Sequence, residues 1–354
     1  MENQKTIVLC GGGTAGHVMP NIALLPELKK HFKNICYIGS HNGIEKQIIS
    51  EQKNVNYYSI STVKLIRSLS LKNLLIPIKL LKGIIEAKKI LKQLKPNIVF
   101  SKGGFVSVPV TIAAKQLSIP VVAHESDLSL GLANKIILKQ CKVMCCSFKE
   151  TAQKLKNKGV YTLSPIRNQL FMGNKQIAKQ TCKFNNNLST LLVIGGSLGA
   201  KAINDVMFMC ASEITKQFNV IHIVGKNNIN KQLNLNNYYQ IEFTSNIENY
   251  FALCDIVISR AGSNAIFEFL ALKKPMLLIP LSKESSRGDQ IENAKNFLNK
   301  GFAHVLNQED LNTKTLITEI NKLFNNKNTI IEKQKQYYGN GVKNIVEQIL
   351  KYCK

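Results

Sequence analysis

Tryptophan is absent from this 354-residue sequence, and acids are scarce: 22 Asp and Glu stand against 47 Lys and Arg, for a net charge of +25. A basic nucleic-acid binder would be expected to gather its cations and aromatics in one groove. Here the lysines are dispersed over the whole chain, so that class finds little support. The imbalance still predicts attraction to anionic surfaces such as the inner leaflet of a membrane. A well-solvated lysine surface would give the same count. No CxxC pair occurs among the nine cysteines, whose number is odd. Cys141, Cys145 and Cys146 cluster without a histidine at zinc spacing, and Cys10, Cys36 and Cys254 lie inside apolar runs. Buried, reduced thiols in a cytosolic setting are expected. The opening MENQKTIVLCGGG holds no long apolar signal region, and no run reaches transmembrane length.

What is present is a repeated strand–glycine turn–helix rhythm. The stretch Cys254 to Leu281, CDIVISRAGSNAIFEFLALKKPMLLIPL, states it most fully. Ile256 to Ile258 is a short apolar β-branched run suited to a buried parallel strand. Ala261-Gly262-Ser263 turns the chain, and Ser263 or Asn264 is expected to cap the helix that follows. That helix should end near Lys273-Lys274-Pro275, since proline cannot continue it. Met276 to Ile279 is the next strand. A helix start offers unpaired N–H groups and a positive dipole end, hence an anion site. Glu268 lies one turn inside, on the face of Asn264, where a carboxylate can accept both hydroxyls of a ribose. Together these make a nucleotide grip; an ordinary βα turn with Glu268 on a solvated face uses the same residues.

The length predicts two domains. Thr6 to Cys10 reads as a strand, followed by Gly11-Gly12-Gly13-Thr14-Ala15-Gly16-His17 and a helix over Pro20 to Lys30. This is G-x-G-x-x-G after a strand, but the dinucleotide fingerprint also needs an acid after the second strand. That strand, Ile35 to Ile38, ends in Gly39-Ser40-His41-Asn42, and Glu45 follows only inside a helix. Nicotinamide binding is therefore disfavoured, while a glycine loop open to phosphate or sugar remains. Leu65 to Leu94 is amphipathic and basic, and Pro77 breaks it into two pieces; the second is expected to be a crossover helix, core-facing with solvated lysines, and the first is short, apolar and basic, so that the stretch Leu65 to Lys82 fits a membrane-surface contact. Further strands are expected at Asn97 to Phe100, Pro120 to Ala123 and Val143 to Cys146. Ser101-Lys102-Gly103-Gly104-Phe105 forms a second glycine turn, and His124-Glu125-Ser126-Asp127 follows a strand directly. Pro165 interrupts the rhythm. A second cycle opens with Leu191 to Ile194 and GGSLGA, then strands at Ile221 to Val224 and Ile241 to Phe243. The fold class is α/β, with two Rossmann-like doubly wound parallel-sheet domains facing a cleft.

In order along the chain, GGGTAGHVMP, SKGGFVSVP, HESD with LANK, GGSLGA, SRAGSNAIFE and GDQIENA resemble the MurG family of peptidoglycan N-acetylglucosaminyltransferases. The resemblance spans essentially the whole chain. It implies a GT-B fold, with residues 1–163 as an acceptor- and membrane-facing domain, 164–335 as the UDP-GlcNAc domain, and 336–354 as a helix returning to the first. It implies inverting transfer of N-acetylglucosamine from UDP-GlcNAc to lipid I, by a peripheral protein on the cytoplasmic face of the membrane, with no nucleic acid as partner. By motif, Glu268 would take the ribose hydroxyls, Phe243 would cap the uracil and Thr244 would read it through its backbone. Gly196, Ser197 and the helix start at Ser263 and Asn264 would hold the diphosphate. Gln290 would contact the sugar hydroxyls, and Arg167 would lie near the uracil or phosphates. Thr14, Ala15, Gly16 and His17 would face sugar and acceptor. Gly13, Gly104, Phe105, Glu125 and Asn134 would line the acceptor side, and either His17 or Glu125 would be the base. Leu198, Ala265, Asp127 and the segment Ser164-Pro165-Ile166-Arg167 depart from the family pattern, which places the phosphate contacts and the Arg167 role in question. No acidic cluster with metal spacing lies near the phosphate motifs, so no metal and no other cofactor is expected. A UDP-GlcNAc 2-epimerase on the same fold would leave HESD and LANK without a purpose.

Overall fold

The computed structural model describes residues 5–63, 76–196, 199–284, 286–337 and 339–354. The chain divides into two compact units, one running to Arg167 and resuming at Asn340, the other spanning Asn168–Gly339. The first boundary differs slightly from the 163/164 division read in the sequence. The reason is local: the Asn340 side chain accepts from Ile166 N at 2.9 Å and donates to Ile166 O at 2.6 Å, while Gly341 N donates to Ser164 O at 2.9 Å. Residues 164–167 are thereby tied to 340–341.

In the first unit the strands are β1 Thr6–Cys10, β2 Asn34–Ser40, β3 Val55–Ile60, β4 Ile98–Ser101, β5 Val121–Glu125, β6 Val143–Cys146 and β7 Gly159–Tyr161. They pair in the order β3-β2-β1-β4-β5-β6-β7, all parallel. In the second unit β8 Ser189–Ile194, β9 Phe218–Ile223, β10 Tyr238–Ile241, β11 Ile256–Ser259, β12 Met276–Leu278 and β13 Ala303–Val305 pair as β10-β9-β8-β11-β12-β13, again parallel. Both orders reverse direction beside the first strand of the unit, the place where open parallel sheets bind ligands. The short runs at β3, β7 and β13 were not anticipated. Each is an outer strand of its sheet and too partly buried to give a continuous apolar signal. The strand expected at Ile241 to Phe243 lies earlier, at β10.

The helices that matter here are α1 Met19–Leu28, α2 Ile44–Ser50, α3 Ile76–Leu94, α4 Ser107–Gln116, α5 Leu132–Ile137, α6 Lys201–Met209, α7 Ser263–Ala271, α8 Asp289–Asn299 and α9 Val342–Tyr352. Over the described residues α3 runs from Ile76 to Leu94 with Pro77 inside it, so the proline does not end the helix there. Residues 64–75 of the apolar–basic stretch lie outside the described residues. Ile345, Val346 and Ile349 of α9 join Ile7, Leu9, Ile98 and Val122 in the core of the first unit. All nine cysteines are free thiols, and all but Cys353 are buried.

Two histidines lie wholly inside the sheets. His222 of β9 contacts the Tyr238 hydroxyl at 2.7 Å and Asn204 Oδ1 at 3.0 Å, and burial pushes its pKa down to about 3. His124 of β5 is held well below the usual histidine value, by burial first and by the Lys102 charge second. Both are neutral when folded and must charge when unfolded below about pH 6.5. Their stabilising effect is thus complete above that pH and is lost as pH falls toward the folded values. Stability should decline by about 1.4 kcal/mol per pH unit for each histidine below pH 6.5. Urea midpoints followed by circular dichroism at pH 7 and pH 5 check this. His222→Gln should flatten the slope of the second unit, and an unchanged slope would remove His222 from the account.

Candidate active site

The first unit builds its site on the loop after β1. Tyr37 donates its hydroxyl proton to Gly11 O at 2.8 Å, and the Asn21 side chain donates to Tyr37 Oη at 3.1 Å, so the start of the loop is pinned from below. Gly13 has φ +87°, and a Cβ there would strike the Phe105 ring. The glycine is required twice, by its backbone and by the aromatic against it. Behind the loop sits Glu45, the first-turn acid of α2, with no exposed surface. Its Oε2 accepts from Gly13 N at 3.1 Å, and its Oε1 accepts from Ser40 N at 3.0 Å and from the Ser40 hydroxyl. The acid missing from the end of the second strand is thus supplied a few residues later, turned onto the protein's own loop. The spacing of a nucleotide fingerprint gave no reason to look for it there.

The second glycine turn, after β4, meets the first. Gly104 has φ +78°, and a Cβ on it would lie 3.0 Å from His17 Cδ2, so the imidazole packs where a side chain is missing. His17 ends a short 3-10 turn, Ala15–His17, whose N-cap is Thr14. Lys102 is 2% exposed, and its Nζ donates to Ser126 Oγ at 2.7 Å. Glu125, the last residue of β5, is 5% exposed. Its Oε1 accepts from Asp127 N at 3.0 Å, and its Oε2 from Gly131 N at 3.1 Å and Asn134 Nδ2 at 2.9 Å. Burial above all, with the nearby Asp127 charge, raises its proton affinity; the Asp127 N–H, Lys102 and Asn134 oppose the rise. The result is a carboxylate of increased basicity that also fixes the loop leading to α5. Gly13, Gly104, Phe105 and His17 are brought together, and Glu125 and Asn134 are bonded to each other. The neighbouring His124 is a neutral core residue.

The second unit repeats the design after β8. Gly196 and Gly199 take φ +88° and +76°, and Ala200 leads into α6. Ser197 and Leu198 lie outside the described residues. A cavity of about 360 Å³ is lined by Gly196, Ser259, Arg260, Gly262, Ala265 and Gln290, among others. Gly262, not Ser263 or Asn264, is the N-cap of α7, and no side chain caps the turn. Ser263 is instead the first helical residue and is buried. The reason is packing: Ser263 is buried in the first turn, so its side chain does not take the capping place. Asn264 and Glu268 follow one turn apart on a half-buried face. The Arg260 guanidinium donates to Ile279 O at 3.0 Å and lines the same cavity. Gln290 of α8 accepts from Leu281 N at 3.1 Å through Oε1, which fixes the amide at the cavity wall. Phe243 stands 73% exposed in the loop after β10, and Thr244 Oγ1 beside it accepts from Asn246 N at 3.1 Å. Arg167 is the last residue of the first unit before the boundary. Arg260 carried no role in the sequence reading; its place at the cavity is set by the end of β12, whose following Ile279 carbonyl holds the guanidinium. The Ala265 side chain adds no polar donor to the cavity wall.

Comparison with known proteins follows this division. Residues 7–145 match the glycosyltransferase family 28 N-terminal domain and residues 190–349 its C-terminal domain. The chain is 51% identical over 354 residues (99% of this chain, all of the other) to the UDP-N-acetylglucosamine--N-acetylmuramyl-(pentapeptide) pyrophosphoryl-undecaprenol N-acetylglucosamine transferase of Clostridium botulinum. It is 48% identical over 353 residues (99% and 98% covered) to the protein of the same name in Clostridium tetani. Among solved structures it is similar to MurG of Acinetobacter baumannii, with TM-score 0.76, 24% identity and 98% and 99% of the two chains covered. It also matches a UDP-GlcNAc 2-epimerase of Neisseria meningitidis bound to UDP-GlcNAc, with TM-score 0.67, 17% identity and coverage of 98% and 99%. The two structural likenesses bear on the fold alone, a GT-B arrangement of two parallel-sheet α/β domains.

Proposed function

The chain belongs to the family of UDP-N-acetylglucosamine–N-acetylmuramyl-(pentapeptide) pyrophosphoryl-undecaprenol N-acetylglucosamine transferases, within glycosyltransferase family 28, and from that membership we propose how its own residues perform the transfer. The enzyme moves N-acetylglucosamine from UDP-GlcNAc to the 4-hydroxyl of the muramoyl-pentapeptide of lipid I, forming lipid II. The end-to-end identity to the clostridial transferases carries this reading. The acceptor oxygen bonds to the anomeric carbon as that carbon's bond to the diphosphate breaks, with inversion. The hydroxyl proton passes to His17 or Glu125, and the electron pair leaves with UDP. The helix start at Gly262–Asn264 meets the charge that develops on the diphosphate, Glu268 holds the ribose, and Gln290 contacts the sugar.

The direct test is labelled UDP-GlcNAc with and without a lipid I analogue. Label should enter the lipid fraction only with the acceptor. Conversion of UDP-GlcNAc to an epimeric sugar without acceptor would replace this reading by a 2-epimerase. Because the leaving group is assigned to a helix N-terminus, turnover should also persist in excess EDTA. Activity abolished by EDTA and restored by magnesium would overturn that part of the mechanism.

The membrane contact is proposed on α3. Ile78, Leu81 and Ile85 are 66%, 59% and 61% exposed and recur at helical spacing, with Lys79, Lys82 and Lys89 exposed around them. Among the described residues no helix is long and apolar enough to cross a membrane. Replacing Ile78, Leu81 and Ile85 by serine should lower partitioning onto anionic vesicles about tenfold or more and leave UDP affinity unchanged. The lysine share of the attraction should weaken as salt rises. Equal vesicle partitioning of variant and parent would move the docking face elsewhere.

A further inference from the structure

Lys102 is a buried cation with no part in the transfer described above. It is the first residue past β4 and is 2% exposed. Its Nζ donates to Ser126 Oγ at 2.7 Å, and Ser126 stands in the chain between Glu125 and Asp127. A lysine taken out of water loses hydration that one hydroxyl does not replace, so it needs anions close by. Burial lowers the pKa of Lys102, and Glu125 first and Asp127 second oppose the fall. The reverse effect falls on Glu125. Burial first and the Asp127 charge second raise its pKa, with the Asp127 N–H and Lys102 pulling it down.

The other titratable groups around Glu125 add less charge. His124 is held neutral, by burial and then by Lys102 itself. Cys145 and Cys146 of β6 pair with His124 and Glu125, and burial keeps both thiols protonated. His17 packs against Gly104 of the second glycine turn. Glu150 lies on the helix Lys149–Lys154, whose Thr151 hydroxyl donates to Leu128 O at 2.7 Å. On the helices packed against β5, Lys115 of α4, Lys135 of α5 and Lys343, Glu347 and Lys351 of α9 are exposed, where solvent and salt screen them. Lys102 and Asp127 are the two charges bonded into the Glu125 loop. One reaches it through Ser126, and the other through its own N–H, which donates to Glu125 Oε1 at 3.0 Å. Asp127 is among the departures from the family pattern, and the buried ammonium supplies the opposite sign.

Resting on the function proposed above, we propose that Lys102 is a positioning residue for Glu125: held through Ser126, its ammonium keeps the buried carboxylate ionised and balances the charge that Asp127 brings to the same loop. A general base must be deprotonated at working pH, and burial alone acts against that. Without the cation, two carboxylates two residues apart would share one loop with no counter-charge.

The test compares the parent with Lys102→Met, Asp127→Asn and the double variant, each as the full chain carrying carbon-13 at the glutamate side-chain carboxyl. The Glu125 signal is the one missing from Glu125→Asp. Its titration should move to higher pH by about one unit or more in Lys102→Met, to lower pH in Asp127→Asn, and back toward the parent in the double variant. The acid limb of kcat at saturating donor and acceptor should shift in the same directions. Lys102→Gln, which can still bond Ser126 but carries no charge, should behave as Lys102→Met does and replaces it should the methionine variant not fold. A Glu125 titration left in place by loss of the Lys102 charge overturns the proposal, even where kcat falls at every pH, because such a loss is a packing defect. An unmoved titration in Asp127→Asn overturns the balance of charges. A titration that moves while the kcat limb stays in place supports the role of Lys102 and removes Glu125 as the base. If the parent transfers no sugar to any acceptor, the function itself fails, and the titration alone still decides what Lys102 does.

Discussion

Replacing Glu125 is expected to cut kcat by about 10²–10⁴-fold, the usual contribution of a general base. The residue ends β5 at the carboxyl edge of the first sheet, and burial has already raised its affinity for a proton. A base works deprotonated, so its rate limb falls as pH drops through its pKa. For Glu125 that limb should lie above the ordinary carboxylate range and should vanish in the variant. The choice of substitution matters. All three donors on Glu125 point at acceptor oxygens. Glutamine would place an NH₂ against one of them and strain the loop to Gly131. Glu125→Gln must therefore be read together with its melting temperature and donor affinity, and Glu125→Asp supplies a second variant that keeps the charge. If His17 is the base instead, His17→Ala carries the kcat loss at intact donor affinity. If His17 only orients the acceptor, the loss appears in the acceptor KM. Near-normal kcat in both variants at saturating acceptor would show that neither group takes the proton.

Glu268→Ala is expected to weaken UDP-GlcNAc binding by about 1–3 kcal/mol, roughly fivefold to 150-fold, the cost of losing charge-assisted hydrogen bonds to two hydroxyls. Glu268 lies one turn beyond Asn264 on α7, so in the proposed mechanism one helix serves both the diphosphate and the ribose. A rigid nine-residue helix fixes the distance between the two contacts. Calorimetry with UDP and 2′-deoxy-UDP separates this role from a general loss of structure. The parent should prefer UDP, and the variant should bind both alike. Donor affinity unchanged in the variant would remove Glu268 from the site.

Much of the fold could be read along the chain, because parallel strands buried on both faces leave continuous apolar runs. Thr6–Cys10 and Val143–Cys146 were delimited correctly to the residue, and the helix after Gly262, expected to end near Lys273, ends two residues earlier at Ala271. The cap of that helix was misjudged. A serine before an apolar run reads as an N-cap, yet Ser263 packs inward and Gly262 takes the position. Outer strands such as β3 were missed, since one exposed face dilutes the apolar signal.

The succession of strands and helices along the chain, the glycine loops of each half, and the acids and histidine beside them are properties of the sequence alone. Local propensity, burial periodicity and the backbone freedom of glycine act over a few residues, so they can be read there. Tertiary structure decided what those residues touch. Glu45, passed over as a helix acid, became the pin of the first loop because α2 folds back on Gly13 and Ser40. His124, expected just past the end of its strand, became a neutral core residue because β5 runs on to Glu125 and lies between β4 and β6. Contacts between segments distant in sequence are set by packing, and no local pattern records them.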